Sequence, residues 1–367
     1  MLSQQEQSRY SRQILLSEVG ESGQQKLKEA KILVIGAGGL GCPVLQIIAA
    51  AGVGTIGVID GDKVDISNLH RQLLYCEDDV GKRKADAATE RLKKMNSTLT
   101  YHSYPENLSS INALELFSKY DLIIDGSDNF ATRYLVNDAC VKLDKPFISG
   151  SVFKYQGQVG VFNYKNSATY RCLFPQPPQP GEMPNCDEIG VLGSVTSIVG
   201  SLMANEALKV ILNIGDVLAN RLLVWYALSL SYSIFSFKRQ EEEVNIVKTS
   251  PLPAYDDYAT FCHTSNSSLN IKEISSGDLR KKLNNKEDIL LIDVREPYEH
   301  EDYNIGGELI PLAELENELN RIPKDKQVIL YCKVGARSKF AVQMLQEKYA
   351  FENLVNLSGG IDAYLAK

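Results

Sequence analysis

The stretch from Ile35 to Arg71 constrains the fold most, because closely spaced glycines follow a short apolar segment. Residues 31–35 predict a buried strand and residues 42–51 a helix. The glycines between them (Gly36, Gly38, Gly39 and Gly41) contain the G-x-G-x-x-G spacing. Such a loop lets the backbone approach a phosphate and leaves a helix N-terminus facing the anion. We therefore predict a nucleotide site; the alternative is a tight turn in an α/β core without a ligand.

A second strand, predicted at 55–59, ends in Asp60, about where a carboxylate binds ribose in dinucleotide sites. Further apolar segments at 121–125, 146–149 and 158–162 continue the alternation of strand and helix. Residues 222–237 predict a late strand or hairpin. This order predicts an α/β fold with a doubly wound sheet.

Charged residues behind the glycines favour ATP over a dinucleotide. Backbone amides can hold a diphosphate, whereas a triphosphate and its metal need additional cations and a carboxylate. The chain offers Arg71, Lys84, Asp62 and Asp128, with Asn68 beside them. Taken singly, Lys84 could lie on a solvated helix face, Asn68 and Asp128 could cap helices or turns, and Arg71 could pair with a surface acid. Their order behind the glycine loop favours the nucleotide site.

Composition indicates a globular protein of 367 residues, with 44% hydrophobic and 23% charged residues, which is long enough for two domains. The net charge of −7 argues against nucleic acid and anionic membranes as partners. Seven cysteines without framework spacing indicate a reducing compartment, and the polar N-terminus lacks the apolar core of a signal peptide. The longest apolar stretch we note, 44–59, is interrupted by glycines and does not predict a membrane span. We expect a cytoplasmic protein.

The sequence divides into two domains. After Lys238 the chain becomes polar and irregular, so we predict a first domain over 1–240 and a linker over 241–268. Strands predicted at 288–294 and 327–331 and an amphipathic helix at 339–349 indicate a smaller α/β domain over 269–367.

Residues 1–240 resemble the ubiquitin-activating-type adenylyltransferases of molybdopterin and thiamine biosynthesis, the MoeB/ThiF/HesA family. The shared motifs are SRYSRQI, GAGGLGCPV, DGDKVDISNLHRQ, GKRKADAA, GSDN and TYRCL. The resemblance implies a Rossmann-like domain whose Asp60 binds ribose, whose Arg71 and Lys84 bind phosphates, and whose Asp128 binds magnesium. Arg12 would reach the γ-phosphate of the neighbouring subunit's ATP, which implies a homodimer. Including these, the expected ATP-binding residues are Gly36, Gly38, Gly39, Gly41, Asp60, Asp62, Ser67, Asn68, Arg71, Lys84, Asp128 and Asn129.

The same resemblance implies a substrate and a second thiol. The substrate is the C-terminal carboxylate of a ubiquitin-like sulfur carrier ending in Gly-Gly, which attacks the α-phosphorus of ATP. Cys186, in a proline-rich segment expected to be a mobile crossover loop, occupies the position of the family's second thiol; the alternative is a structural cysteine. Family members often hold zinc with two CxxC pairs. Here the first pair is reduced to Cys172 and the second is absent, so we predict no zinc.

The second domain delivers Cys332 into the loop CKVGARS at the start of the predicted helix. A thiol at a helix N-terminus, with Lys333 and Arg337 nearby, predicts a stabilised thiolate; the alternative is a buried apolar cysteine. With DVREPYEH and LSGGIDAY, residues 269–367 resemble a rhodanese domain, which implies a persulfide on Cys332 in a loop containing Lys333, Gly335 and Arg337. In that family the motif of Asp293 and Arg295 is mainly structural. Cysteine phosphatases use a loop one residue longer, so the four residues before Arg337 favour sulfur transfer over phosphate chemistry.

Together the two domains suggest that a Cys332 persulfide displaces AMP from the carrier's acyl-adenylate, and that Cys186 then releases a thiocarboxylate or first forms a thioester. A cysteine desulfurase or another persulfide donor would supply the sulfur. Two other functions stay open: an NAD-dependent oxidoreductase, which leaves Arg71, Lys84 and Asp128 without a role, and a non-catalytic scaffold that only binds the carrier. The carrier's pathway is left open.

Overall fold

A computed structural model describes residues 1–177, 190–252, 271–315 and 317–365. The described residues form two compact units. The first contains residues 1–177 and 190–252, and the second contains residues 271–315 and 317–365. Each unit has its own sheet and its own apolar core.

The first unit is built on an eight-stranded sheet in the order β3-β2-β1-β4-β5-β6-β7-β8. Its strands are β1 (Lys31–Ile35), β2 (Thr55–Ile59), β3 (Thr100–Tyr104), β4 (Leu122–Asp125), β5 (Phe147–Phe153), β6 (Gln156–Phe162), β7 (Arg221–Tyr226) and β8 (Ser231–Ser236). Strands β1 to β5 pair in parallel and β5 to β8 pair antiparallel. Strand order reverses between β1 and β4, and sheets of this kind bind ligands at such a point, beyond the carboxyl ends of the strands.

Helices cover both faces of this sheet because alternate side chains of its strands are apolar on both sides. Ile32 and Val34 of β1 belong to the core on one face, and Leu33 and Ile35 to the core on the other. The helices are α1 (Gln4–Arg9), α2 (Ser11–Ile14), α3 (Gly20–Glu29), α4 (Gly41–Ala51), α5 (Lys84–Met95), α6 (Ala113–Ser118), α7 (Phe130–Lys142), α8 (Tyr170–Leu173), α9 (Gly193–Leu212) and α10 (Glu241–Thr249).

Helix α9 is the one described helix that is long and apolar enough to cross a membrane by length and composition. Half of its apolar window is buried, and it packs against α4, β5 and β6. These contacts account for its apolar sequence, since a core helix of a doubly wound sheet has the same composition as a membrane span.

Two segments differ in how well the sequence predicted them. Residues 222–237 form the predicted hairpin, whose outer strand β8 is a sheet edge with exposed Tyr232 and Phe235. The predicted linker is wrong for its first residues, because 241–249 form α10. Val244 and Val247 of this helix are buried against Val141 and Ala168, which are remote in sequence.

The second unit has a five-stranded parallel sheet in the order β11-β10-β12-β13-β9. Its strands are β9 (Glu273–Ile274), β10 (Ile289–Asp293), β11 (Glu308–Leu309), β12 (Gln327–Tyr331) and β13 (Leu354–Leu357). Its helices are α11 (Ser276–Asn284), α12 (Pro297–Asp302), α13 (Ala336–Tyr349) and α14 (Gly360–Leu365). The two units confirm the predicted α/β class.

Candidate functional site

The glycine loop joins β1 to α4 at the point where the strand order reverses. Gly36 has a φ of +83°, and its amide donates to Ile59 O at 2.9 Å. A Cβ at Gly41 would lie 1.9 Å from Gly36 O, so only glycine fits where the loop folds back on itself. The amides of Gly38 and Gly39 donate to no described residue, and no side chain caps α4. These amides form a concave set of donors suited to a phosphate.

Asp60 connects the end of β2 to this loop. One carboxylate oxygen accepts the amide of Ala37 at 2.8 Å and the other accepts the amide of Asp62 at 2.9 Å. Burial raises the pKa of Asp60, although the charge of Lys84 and the two amides oppose the rise. Each carboxylate oxygen keeps a further lone pair, so Asp60 can still accept hydrogen bonds from ribose hydroxyls.

Lys84 begins α5 and lies beside Asp60, not on a solvated helix face. It is 7% exposed, and its Nζ lies 2.9 Å from a carboxylate oxygen of Asp62, whose side chain is 72% exposed. Tyr75, which sequence reasoning missed, has its hydroxyl 2.9 Å from Ala37 O and 3.2 Å from Lys84 O. The surface-lysine alternative is therefore wrong, and Lys84 is a buried cation next to the glycine loop.

The segment that follows β2 carries the expected Ser67, Asn68 and Arg71. Asp65 caps a short 3₁₀ helix over Ile66–Asn68 by accepting the amide of Ser67 at 2.8 Å. The guanidinium of Arg71 donates to Ser67 O at 3.3 Å and lies 2.8 Å from Nε2 of His70. Both contacts are to neighbours in the chain, so they leave the guanidinium near the surface, where it can rearrange toward a ligand.

Two further contacts position this segment, one against the start of α9 and one beside the glycine loop. A Cβ at Gly193 would lie 2.3 Å from His70 O, which puts the start of α9 against residues 70–71. The side chain of Gln72, also missed, is buried next to Gly38, and its Oε1 has no hydrogen-bond partner among the described residues.

Asp128 and Asn129 lie in the loop after β4, which runs beside the glycine loop. A Cβ at Gly126 would lie 3.3 Å from the amide of Gly41. Asp128 is exposed, whereas the side chain of Asn129 caps α7 by accepting the amide of Thr132 at 2.8 Å. Asn129 is therefore the N-cap of α7, and its expected role in binding nucleotide stays a prediction.

A buried polar network fixes the loop that carries Asp128, and sequence reasoning missed it. The carboxylate of Asp125 accepts the amide and hydroxyl of Ser127 at 3.1 and 2.6 Å, and the hydroxyl of Ser149 at 3.0 Å. Arg133 donates to Ser127 O at 3.2 Å. Asp125 stands at the end of a buried strand in the motif IIDGSDN, which was the available signal.

Arg12 is not part of the site formed within one chain. It is exposed on α2, and the next residue, Gln13, donates to Ala51 O at the end of α4 remote from the glycine loop. Eleven residues of helix separate the two ends of α4, or about 16 Å. Any contact between Arg12 and a nucleotide would have to be made to another subunit's site.

In the second unit, Cys332 follows β12 directly, and α13 begins four residues later. Cys332 is buried, its Sγ accepts the amide of Gly335 at 3.1 Å, and the hydroxyl of Ser338 lies 3.5 Å away. Gly335 has a φ of +92°, and a Cβ at Gly360 would lie 2.4 Å from the carbonyl oxygens of both Cys332 and Lys333. The loop is thus a tight ring that directs one backbone amide at the sulfur, while Cys332 also packs in the apolar core of this unit.

The charges around this loop are arranged differently from the expectation. Lys333 is exposed. Arg337 is buried, and its two terminal nitrogens each donate to one carboxylate oxygen of Glu299 at 2.8 Å. The positive charge expected to support a Cys332 thiolate is therefore paired with a carboxylate. Glu299 lies in the motif DVREPYEH but was not singled out from sequence, because nothing in the sequence names its partner.

Asp293 and Arg295 form a structural cluster, as their motif implies. Arg295 donates to both carboxylate oxygens of Asp293, at 2.9 and 2.6 Å, and also to Tyr303 O at 2.7 Å. His300 lies 2.9 Å from the same carboxylate. The cluster ties the end of β10 to α12, the helix that carries Glu299.

The remaining expected residues concern the second thiol and zinc. Cys186 lies outside the described residues. The Sγ of Cys172 accepts the amide of Gln240 at 3.2 Å and that of Thr169 at 3.4 Å. Within the described parts of the chain, no three His, Cys, Asp or Glu side chains group as metal ligands, and the five cysteines are free thiols.

Comparisons with known proteins match both units. Residues 10–246 match the model of the ThiF family, and residues 275–367 match that of the rhodanese-like domain. A protein of Mycobacterium tuberculosis named "Probable adenylyltransferase/sulfurtransferase MoeZ" is 41% identical over 375 residues, covering 99% of this chain and 94% of MoeZ. The adenylyltransferase and sulfurtransferase MOCS3 of Drosophila ananassae is 38% identical, covering 100% of this chain and 85% of MOCS3.

Two further matches each cover 65% of the chain. The sulfur carrier protein adenylyltransferase of Thermus thermophilus is 50% identical over 242 residues, covering 65% of this chain and 89% of that protein. The crystal structure of E. coli MccB aligns with a TM-score of 0.57 at 27% identity, covering 65% of this chain and 72% of MccB.

Proposed function

Since the chain belongs to the ThiF family and ends in a rhodanese-like domain, we propose that it activates a sulfur-carrier protein and then transfers sulfur to it. The carrier would be ubiquitin-like and end in Gly-Gly. One observation carries the proposal: a single chain combines an ATP-type glycine loop flanked by buried Lys84 with a thiol, Cys332, held by a backbone amide at a helix N-terminus.

In the first step, a carboxylate oxygen of the carrier's terminal glycine attacks the α-phosphorus of ATP, and pyrophosphate leaves. The free amides of the glycine loop bind phosphate oxygens and Asp60 binds the ribose. Lys84 and Arg71 neutralise the phosphates so that two anions can approach each other. Asp62, Ser67, Asn68 and Asn129 line the same edge of the sheet.

Magnesium fits this site, because Mg²⁺ bound with nucleotide takes one or two protein carboxylates and fills its other positions with phosphate oxygens and water. Exposed Asp128 supplies such a carboxylate, on a loop that Asp125 and Arg133 hold in place. The ion would neutralise phosphate charge.

In the second step, the terminal sulfur of a Cys332 persulfide attacks the acyl carbon and AMP leaves, which gives an acyl disulfide. The thiolate of Cys186 then attacks the Cys332 sulfur and releases the carrier as a thiocarboxylate, leaving a Cys186–Cys332 disulfide that an external thiol reduces. A cysteine desulfurase or another persulfide donor reloads Cys332. The carrier's product pathway, such as molybdopterin or thiamine, is set by the carrier.

We also propose that the enzyme is a homodimer in a reducing, cytoplasmic compartment. Leu15 and Leu16, just after Arg12, are 74% and 55% exposed, and Ile66 and Leu73 beside the nucleotide segment are 61% and 60% exposed. A second copy of this chain would cover such side chains and bring its Arg12 to the nucleotide.

The test incubates the full-length protein with ATP, Mg²⁺, a persulfide donor and candidate carriers ending in Gly-Gly. Mass spectrometry is expected to show one carrier in which sulfur replaces one oxygen at the terminal glycine. Cys332→Ala should keep carrier-dependent pyrophosphate exchange and lose the thiocarboxylate, whereas Lys84→Ala should lose both. Full thiocarboxylate formation by Cys332→Ala would contradict the coupling, and absence of exchange with every carrier would favour the scaffold.

A further inference from the structure

The ion pair between Glu299 and Arg337 bears on which sulfur donor the second unit accepts. Both side chains are nearly buried, with 11% and 8% of their surfaces exposed, and two parallel hydrogen bonds of 2.8 Å join them. Glu299 is also fixed by its own helix, since it accepts the amide of Glu296 at 3.1 Å in a capping box. A bidentate pair that is buried, and whose carboxylate also accepts a backbone amide, does not open readily.

The carboxylate of this pair stays ionised. Burial alone would raise the pKa of Glu299, but hydrogen bonds from Arg337 and from the amide of Glu296 outweigh that effect and lower it. The Glu299–Arg337 pair therefore adds no net charge beside the loop at neutral pH. Among the described residues, the amide of Gly335 donates to Sγ of Cys332. The hydroxyl of Ser338 lies 3.5 Å from Sγ, but its single proton is taken by the shorter hydrogen bond to Oδ1 of Asn356 at 2.7 Å.

Sulfur donors for such a thiol fall into two chemical classes. With a hydropersulfide, Sγ attacks the outer sulfur, the S–S bond of the donor breaks, and a thiolate leaves: Cys332–S⁻ + R–S–SH gives Cys332–S–SH + R–S⁻. With thiosulfate, the same attack expels sulfite: Cys332–S⁻ + S–SO₃²⁻ gives Cys332–S–S⁻ + SO₃²⁻. The first donor is neutral or singly charged, whereas the second is a dianion that must leave water beside an anionic sulfur.

We infer that the Glu299–Arg337 pair makes the Cys332 loop selective for a hydropersulfide donor over a sulfur oxyanion. A dianion entering the loop meets an ion pair with no net charge, and the one backbone amide that donates to Sγ does not compensate two negative charges. That amide and the start of α13 are suited to the single charge on a persulfide sulfur. Glu299 thus acts through Arg337 as a specificity-determining residue, and the inference rests on the proposed role of Cys332.

The experiment measures persulfidation of Cys332 in the full-length protein by peptide mass spectrometry under single-turnover conditions. One series uses cysteine hydropersulfide and the other uses thiosulfate. The wild-type protein is expected to react at least about a hundredfold faster with the hydropersulfide. Glu299→Gln should raise the thiosulfate rate about tenfold relative to the hydropersulfide rate, because Arg337 then presents an uncompensated charge. Both rates come from one preparation, so loss of folded protein leaves their ratio unchanged.

Two controls separate charge from structure. The double variant Glu299→Gln/Arg337→Gln removes both charges, so its ratio should return to the wild-type value; a ratio that stays altered would show that loosening of the loop, not charge, is responsible. Glu308→Gln breaks an Arg–Glu pair with Arg321 elsewhere in the unit and should not change the ratio. Equal use of both donors by the wild-type protein would overturn the inference and leave the proposed function intact. Failure of Cys332 to react with either donor would instead overturn the proposed function.

Discussion

Alanine substitutions at Gly41 and Gly38 separate the glycine that the fold requires from the glycine that the ligand requires. A Cβ at Gly41 would lie 1.9 Å from Gly36 O and 2.9 Å from Gly36 C, closer than real Cβ contacts, which do not fall below 3.0 Å. Either α4 or Gly36 must therefore move by about 1 Å. Gly36 cannot move freely, because its amide donates to Ile59 O at 2.9 Å.

The cost of Gly41→Ala follows from these contacts. Overpacking of this kind costs about 1–3 kcal/mol, and loss of the Gly36 hydrogen bond adds about 1 kcal/mol. We expect the first unit to lose about 2–4 kcal/mol of unfolding free energy and the nucleotide loop to lose its shape, so ATP binding should fall with stability.

Gly38→Ala is the matched control within the same loop. A Cβ at Gly38 would meet only Nε2 of Gln72, at 3.7 Å, and the backbone does not require a positive φ. The folded chain should lose nothing, or gain about 0.4–1 kcal/mol from the less flexible unfolded state. We propose that the phosphates of ATP occupy the open space next to Gly38. ATP binding should therefore weaken at least about tenfold, since a methyl group would prevent close approach of the backbone.

Fluorescence of Trp225 reports the unfolding of the first unit separately from that of the second. Trp225 is the only tryptophan of the chain and lies in β7, so its fluorescence during denaturation reports on the first unit. ATP affinity is measured by calorimetry on the same preparations. The reasoning would be refuted if Gly41→Ala unfolded at the same denaturant concentration as Gly38→Ala, or if Gly38→Ala bound ATP like the wild-type protein.

Three other predictions use the same reporter or the same activity. Hydrogen bonds from Lys82, the amide of residue 76 and Arg91 outweigh burial and lower the pKa of Asp79 to about 2. Because the pKa of Asp79 is lower in the folded than in the unfolded chain, the ionised carboxylate adds to the free energy of unfolding above about pH 4. That contribution is lost as the pH falls toward 2. Asp79→Asn should therefore destabilise the protein at pH 7. The wild-type protein and the variant should differ in the denaturation midpoint reported by Trp225 fluorescence, and that difference should disappear as the pH falls from about 4 to 2. Mixing Arg12→Ala with Lys84→Ala should restore carrier adenylylation that neither shows alone, because a hybrid dimer keeps one intact site; no restoration would contradict action between subunits. Dialysis against EDTA should leave the denaturation midpoint unchanged and elemental analysis should find no stoichiometric zinc, since Cys172 lacks the paired cysteines of a CxxC zinc site.

Local sequence patterns predicted the bounds of the first two strands of the first unit closely. Residues 31–35 and 55–59 are strands with the bounds expected from sequence, because apolar runs bounded by glycine and aspartate identify buried strands without reference to distant residues. Helix α10 was missed because only two of its side chains, Val244 and Val247, are buried, and the residues they pack against lie roughly 70 to 105 positions earlier in the chain. Helix α13 begins at Ala336, three residues before the prediction, because its first turn is polar and follows a glycine of positive φ.

The sequence supplied the charges of both sites but not their pairing, and the pairing decides what each site can bind. Lys84 pairs with Asp62, whose carboxylate is 72% exposed, so water replaces that partner at a cost of at most about 1 kcal/mol. A triphosphate can therefore take over the buried cation. Arg337 pairs with Glu299, whose carboxylate is nearly as buried as the guanidinium, and breaking such a pair costs about 3–5 kcal/mol. Lys84 of the first unit is thus available to an anionic ligand. Arg337 of the second unit is not, because its carboxylate partner stays bound to it. This difference arises from the exposure of the carboxylates, which no count of charged residues reveals.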